Sequence, residues 1–173
     1  MFESNPAISG VVREFASAAC QRLFAAYGVQ LVPASDENRA VDGIVLCGVL
    51  GFTGSEIRGS LLLAGTQGPF LRSRPAQGEL RDWVGELTNQ LLGRLKVQLL
   101  ERGAHIALST PVVLQGEHIA PLPRQVLIPL VFHCDDGVVL VWTHVESAPG
   151  YELGSTSEHA IRPTAEDEDA LFF

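Results

Sequence analysis

The 173 residues are enough for one domain with a single sizeable core. The 46% hydrophobic content excludes a disordered chain. A formal net charge of −8 argues against nucleic acid as the default partner, because binding phosphate needs basic stripes.

In chain order, residues 5–27 read as a first helix. Asn5 is a plausible N-cap, and Pro6 suits the first helical position. Ile8, Val11, Val12, Phe15, Ala19, Leu23 and Phe24 recur at helical spacing, and Gly28 is a natural stop. Residues 44–52 and 57–64 are two β-rich runs around the turn signal TGSE, which together make a hairpin. The stretch TQGPFLRSRPAQG, with Pro69 and Pro75, reads as a connector holding at most one short helical turn. Residues 79–101 form the second helix, closed near Gly103. Residues 105–116 read as an edge or bent strand interrupted at Pro111. A loop over 117–125 follows, then a hairpin over 126–146 around Asp135-Asp136-Gly137. One more short pairing is expected within 151–163.

Each half thus opens with a long amphipathic helix followed by a β-meander. The expected class is α+β, pseudo-symmetric, with two long helices packed on one face of a largely antiparallel sheet. Residues 1–160 form one domain, and 161–173 form an acidic, disordered tail. Within 158–173 there are five carboxylates and one arginine, which is half of the net charge.

Cys20, Cys47 and Cys134 show no C-x-x-C spacing and lie in apolar runs, as buried thiols in a reducing compartment would. No apolar stretch is long enough to span a membrane, and the N-terminus has no signal-peptide pattern. The five histidines lack metal-ligand spacing, and no metal site is expected. His133 and His144 lie on the two arms of one hairpin, so only their register decides whether they meet. Neither a phosphate-binding loop nor a nucleophile elbow is present. Trp83 and Trp142 read as core or interface anchors.

The second helix, DWVGELTNQLLGRLK over 82–96, carries the informative pattern. With Glu86 at the origin of a wheel of about 100° per residue, Val84, Leu87, Leu91, Leu95 and Leu99 form a core stripe. Asp82, Glu86, Asn89 and Gly93 form a second stripe that points away from it, bordered by Gln90 and Val97. Gly93 costs a helix about 1 kcal/mol relative to alanine, and leaves a bare surface where another backbone could come close. On the residues alone, this stripe is either an ordinary solvated face or a carboxylate and an amide able to hold a cation and a water.

The same stretch resembles the central helix of the CheX and CheC family of chemotaxis phosphatases. That family carries an acidic residue, then G-E-x-x-N, then a glycine and a basic residue. Here these are Asp82, Gly85, Glu86, Asn89, Gly93 and Lys96. GVLGFTGSEIRGSLLLA is similar to the family's first hairpin, and LSTPVVLQG to the strand after the helix. The resemblance spans roughly residues 5–146 and is nearer to CheX, because the first helix offers Glu14 and Ser17 rather than a second E-x-x-N.

The resemblance implies a CheC/CheX-like fold and a cytoplasmic phosphatase acting on the phosphoaspartate of a CheY-like receiver domain. It implies that Glu86 pairs with the receiver's lysine and that Asn89 positions the attacking water. It assigns Asp82, Gly85, Gln90, Gly93 and Lys96 to partner binding. The protein needs no cofactor of its own, since the receiver supplies Mg²⁺, and a homodimer is expected. Two departures stand against this. The family has a helix between the first hairpin and the catalytic helix, where this chain has a short proline-containing connector. The acidic tail ending ALFF is also foreign to it. The rival readings are a non-catalytic CheX-like binding or scaffold module, and a structural dimerisation domain.

Overall fold

Asn5 starts the first helix through its side chain. Its Oδ1 accepts from the backbone N–H groups of Ala7 and Ile8 at 3.1 and 3.3 Å, satisfying donors that have no partner inside a helix. The computed structural model describes residues 1–34, 43–117 and 127–154. Helix α1 runs Pro6–Ala26 and buries Ile8, Val12, Ala16, Ala19, Cys20, Leu23 and Phe24. It ends at Gly28, whose φ of 77° is the left-handed conformation open to glycine. There Val29 N–H reaches back to the Phe24 carbonyl at 3.0 Å. Helix α3, Leu80–Leu100, closes in the same way at Gly103, with Ala104 N–H bonded to the Leu99 carbonyl at 2.9 Å. Asn5→Ala is expected to lower stability by about 1 kcal/mol, a drop of about 2–4 °C in a thermal melt followed by circular dichroism.

Strands β3, Ile44–Thr53, and β4, Ile57–Thr66, form the first hairpin, with Gly54 N–H bonded to the Ile57 carbonyl at 2.8 Å. β7, Leu130–Cys134, and β8, Gly137–Ser147, form the second around the expected Asp-Asp-Gly turn. β5, Ala107–Leu108, and β6, Val112–Glu117, lie either side of the Pro111 region, both along the outer side of β3. Two short strands have no readable period in the sequence: β1, Glu3–Ser4, on the end of β8, and β2, Val32–Ala34, beside β7.

The sheet order β2-β7-β8-β4-β3, with β6 on the far side of β3, makes the pseudo-symmetry concrete. The strand after each long helix crosses to the other half's hairpin: β2 follows α1 and pairs with β7, whereas β6 follows α3 and pairs with β3. The two hairpins meet at the antiparallel β4–β8 pair in the middle. Every strand pair among the described residues is antiparallel. Both long helices cover one face, where Leu46, Leu50, Leu61, Leu63, Phe132, Val139 and Val141 pack against them. On the opposite face a smaller apolar cluster holds Val45, Cys47, Ala64, Val131, Leu140 and Trp142.

The connector differs from expectation. Gln67–Ser73 forms a third helix, α2, about two turns long, so a helix does precede α3 where a connector with at most one short helical turn was expected. Pro69 does not break it, because the first N–H groups of a helix have no intrahelical partner to lose. Phe70 is fully buried with its ring centroid 6.1 Å from that of Phe24. Pro75 lies beyond the helix end. Arg72 of α2 pairs with Asp136 at 2.7 Å, anchoring the helix on the β7–β8 turn.

Beyond Glu117, the expected loop 117–125 falls outside the described residues. So do the tail 161–173 and most of the pairing expected within 151–163, whose described part, 151–154, forms no strand. Cys20, Cys47 and Cys134 are free thiols, the first two buried and the third half-buried. Burial pushes the Cys20 and Cys47 thiols up, to about 11 for Cys47, so both are protonated near neutral pH and neither is a nucleophile.

Candidate functional site

α3 is the element that carries the site, and its two faces are separated as the wheel requires. Val84, Leu87, Leu91, Leu95 and Leu99 are fully buried, and Asp82, Glu86, Asn89 and Lys96 are exposed. The helix is seated through Thr88, whose Oγ1 donates to the Val84 carbonyl at 2.7 Å and whose side chain lies against Gly48 of β3. Asp82, in the first turn, stands where a carboxylate complements the positive end of the helix dipole.

Glu86 and Asn89, one turn apart, open onto a groove of about 490 Å³. Its floor and helical wall are Arg81, Asp82, Gly85, Glu86 and Asn89; the other wall is Pro111 and Val113 at the start of β6. Gly85 explains why the walls lie so close. A Cβ there would sit 3.3 Å from Val113 Cγ2. Gly85, which the resemblance assigned to partner binding, is therefore buried against this chain's own strand.

Gly93 is different. Nothing lies within 4 Å of the place its Cβ would take, so the space over it is open. Gly93→Ala should raise stability by about 0.5–1 kcal/mol, through better helix propensity with no clash, readable as a higher denaturant midpoint. Gly93 and Lys96 lie outside the groove, about 10 and 15 Å along the helix from Glu86. Beyond them the same face exposes Val97 and Leu100, two apolar side chains to which the sequence pattern assigned no role.

Gln90 also stands outside the groove, with its carboxamide engaged at both ends. Its Nε2 donates to Glu86 Oε1 at 2.8 Å, and its Oε1 accepts from Tyr27 Oη at 3.0 Å. No sequence signal points to Tyr27, which lies 63 positions away at the end of α1. Pro111 and Val113 are legible in the sequence only as strand features. Asn89 has no hydrogen-bond partner among the described residues, which leaves both its donor and its acceptor for something entering the groove. Arg81 and Asp82 make a long, exposed contact of 3.4 Å that contributes little to stability.

The remaining candidates separate cleanly. His133 is opposite Val138 and His144 opposite Ser60, so the two histidines do not face each other. Among the described residues no cluster of three or more His, Cys, Asp or Glu side chains could hold a metal ion. No described helix is long and apolar enough to cross a membrane. On α1, Glu14 is exposed and Ser17 half-buried, without the acid-and-amide pair of α3.

Residues 46–129 match the family described as chemotaxis phosphatase CheX. That span holds the first hairpin except its first two residues, with α2, α3, β5 and β6. No curated protein matches in sequence. The fold is similar to that of the chemotaxis protein CheX from Vibrio vulnificus, at 23% identity and a TM-score of 0.66, over 78% of this chain and 95% of that one. A CheC-like superfamily protein from Shewanella sp. PV-4 is similar at 22% identity and 0.66, over 79% and 97%. A structure described as a CheX–CheY–BeF3–Mg complex from Borrelia burgdorferi is similar at 14% identity and 0.54, over 78% and 94%.

Proposed function

We propose that this chain, CheX-like in its family match and in its fold, is a phosphatase for the phosphoaspartate of a CheY-like receiver domain. The observation that carries the reading is the placement of Glu86 and Asn89. Both are exposed, one turn apart, on the wall of a groove inside the matched region. The Borrelia relative of this fold is described in complex with CheY, which supports a receiver as the partner.

In this reading α3 docks its polar face on the receiver. The Glu86 carboxylate pairs with the receiver's lysine. The Asn89 carboxamide accepts from a water through its oxygen, or donates to it through its nitrogen, and holds it in line with phosphorus. Water attacks phosphorus, the bond from phosphorus to the aspartate oxygen breaks, and inorganic phosphate and the free carboxylate are released. The receiver supplies Mg²⁺, so this chain needs no ligand cluster of its own. Little covalent chemistry falls to either protein; positioning and charge neutralisation carry the step. Asp82 and Lys96 flank the pair as charged contacts, and bare Gly93 lets the receiver's backbone approach.

The direct test is the decay of a CheY-like receiver phosphorylated with acetyl phosphate, followed with and without this protein. Faster decay supports the reading. Binding without faster decay would establish the rival, a non-catalytic scaffold module. That rival has lost one of its supports, because α2 is present where the connector was expected to depart from the family. A homodimer and a cytoplasmic location belong to the same reading; a single monomer mass in sedimentation velocity would remove the dimer from it.

A further inference from the structure

Glu86 is exposed on its helix, yet its carboxylate is held at one side by a chain of hydrogen bonds that begins on α1. Tyr27, the C-cap residue of that helix, donates its phenol proton to Gln90 Oε1 at 3.0 Å, and Gln90 Nε2 donates to Glu86 Oε1 at 2.8 Å. The direction of the chain is set by chemistry. An ionised carboxylate only accepts, so the amide must turn its NH₂ group toward Glu86 and its oxygen toward the phenol.

Tyr27 is itself braced. Its ring meets Trp83 edge-on, with centroids 4.8 Å apart and planes at 88°. Trp83 Nε1 donates to Ser73 Oγ at 3.0 Å, and Ser73 Oγ donates to the Phe70 carbonyl at 3.2 Å. Three helices therefore converge on the orientation of one surface carboxylate. Stability alone does not ask for this, since an exposed i,i+4 pair between Gln90 and Glu86 contributes little.

We infer that Tyr27 and Gln90 are positioning residues that pre-organise Glu86 for the cation it meets on the receiver, an inference that rests on the phosphatase reading. A free glutamate on a helix surface samples many rotamers and must be ordered when it binds. Here the ordering is done in advance by the α1–α3 contact. Gln90 then acts through Glu86 and does not touch the partner.

The test uses the full chain and a CheY-like receiver. The receiver is phosphorylated with acetyl phosphate to follow decay, and loaded with beryllofluoride and Mg²⁺ to measure affinity. Tyr27→Phe keeps the ring against Trp83 and removes only the phenol proton. It is expected to lower the accelerated decay about 3- to 10-fold, the worth of one hydrogen bond, with a fall of no more than about 2–4 °C in melting temperature. Gln90→Leu should do the same. In a Glu86→Ala background, Tyr27→Phe should leave the affinity for the beryllofluoride-loaded receiver unchanged, because the group it positions is gone.

Wild-type acceleration with no loss in Tyr27→Phe or Gln90→Leu would overturn the positioning role and leave the phosphatase reading standing. An equal affinity loss from Tyr27→Phe with and without Glu86 would also overturn it, as a general packing effect. If the wild type fails to accelerate decay, the phosphatase reading falls and this inference with it.

Discussion

Asn89→Ala is expected to cut the acceleration of receiver dephosphorylation by about 100-fold or more, equivalent to about 2.7 kcal/mol of barrier. The size follows from what the residue would do. A water held in line with phosphorus has its orientation fixed before reaction; an unheld one must find it among many. Asn89 is suited to this because its carboxamide has no competing partner among the described residues and opens onto the groove. The substitution touches no core contact, so the melting temperature should be unaltered, as for other exposed helix positions. Glu86→Ala is expected to weaken receiver affinity as well as turnover, since its proposed partner is the receiver's lysine. The two variants therefore separate on a plot of decay rate against protein concentration: Asn89→Ala lowers the plateau, and Glu86→Ala also shifts the half-point. A wild-type plateau in Asn89→Ala would remove the water-positioning role.

The largest effect on stability is expected at Gly48, far in sequence from the site. This residue lies in β3 beneath α3, and a Cβ there would fall 2.9 Å from Thr88 Cβ and closer still to its Oγ1. Thr88 is fully buried and its hydroxyl is already bonded to the Val84 carbonyl. Gly48→Val must therefore push α3 off the sheet or break that bond. Overpacking of this kind costs about 3 kcal/mol, or about 6–12 °C in melting temperature. Because α3 carries Glu86 and Asn89 on its opposite face, the same shift would move both relative to Pro111 and Val113. Receiver dephosphorylation should fall even at temperatures where the variant is folded. In Gly48→Ala, adding Thr88→Ala should recover part of the lost stability. No recovery would mean that the strand, rather than the helix, bears the strain.

The parts of the fold that could be read from the chain are those set by neighbours in sequence. Asn5-Pro6 and Gly28 bracket α1, because caps act within one turn. Both hairpins were legible because β-rich apolar runs flank short turn signals, and the two turn sites fall where expected. The exposed stripe of α3 was legible for the same reason, since a helix repeats every 3.6 residues whatever it packs against. Short elements were not. β1 and β2 have two and three residues, too few for any period, and α2 was hidden by Pro69, which is harmless only because it lies in the first turn.

What the chain determines locally is therefore the existence of the long helices, the hairpins, and the polar stripe with Glu86 and Asn89 on it. What depends on the folded molecule is everything that joins distant residues. That includes the exchange of β2 and β6 between the halves, the wall of Pro111 and Val113, the burial of Gly85, and Tyr27 reaching Gln90. The physical reason is that a strand's edge or a phenol's donor has many acceptable partners. Which one is taken is settled by how the core leucines and Phe70 pack the helices onto the sheet, a sum over contacts that no local pattern contains.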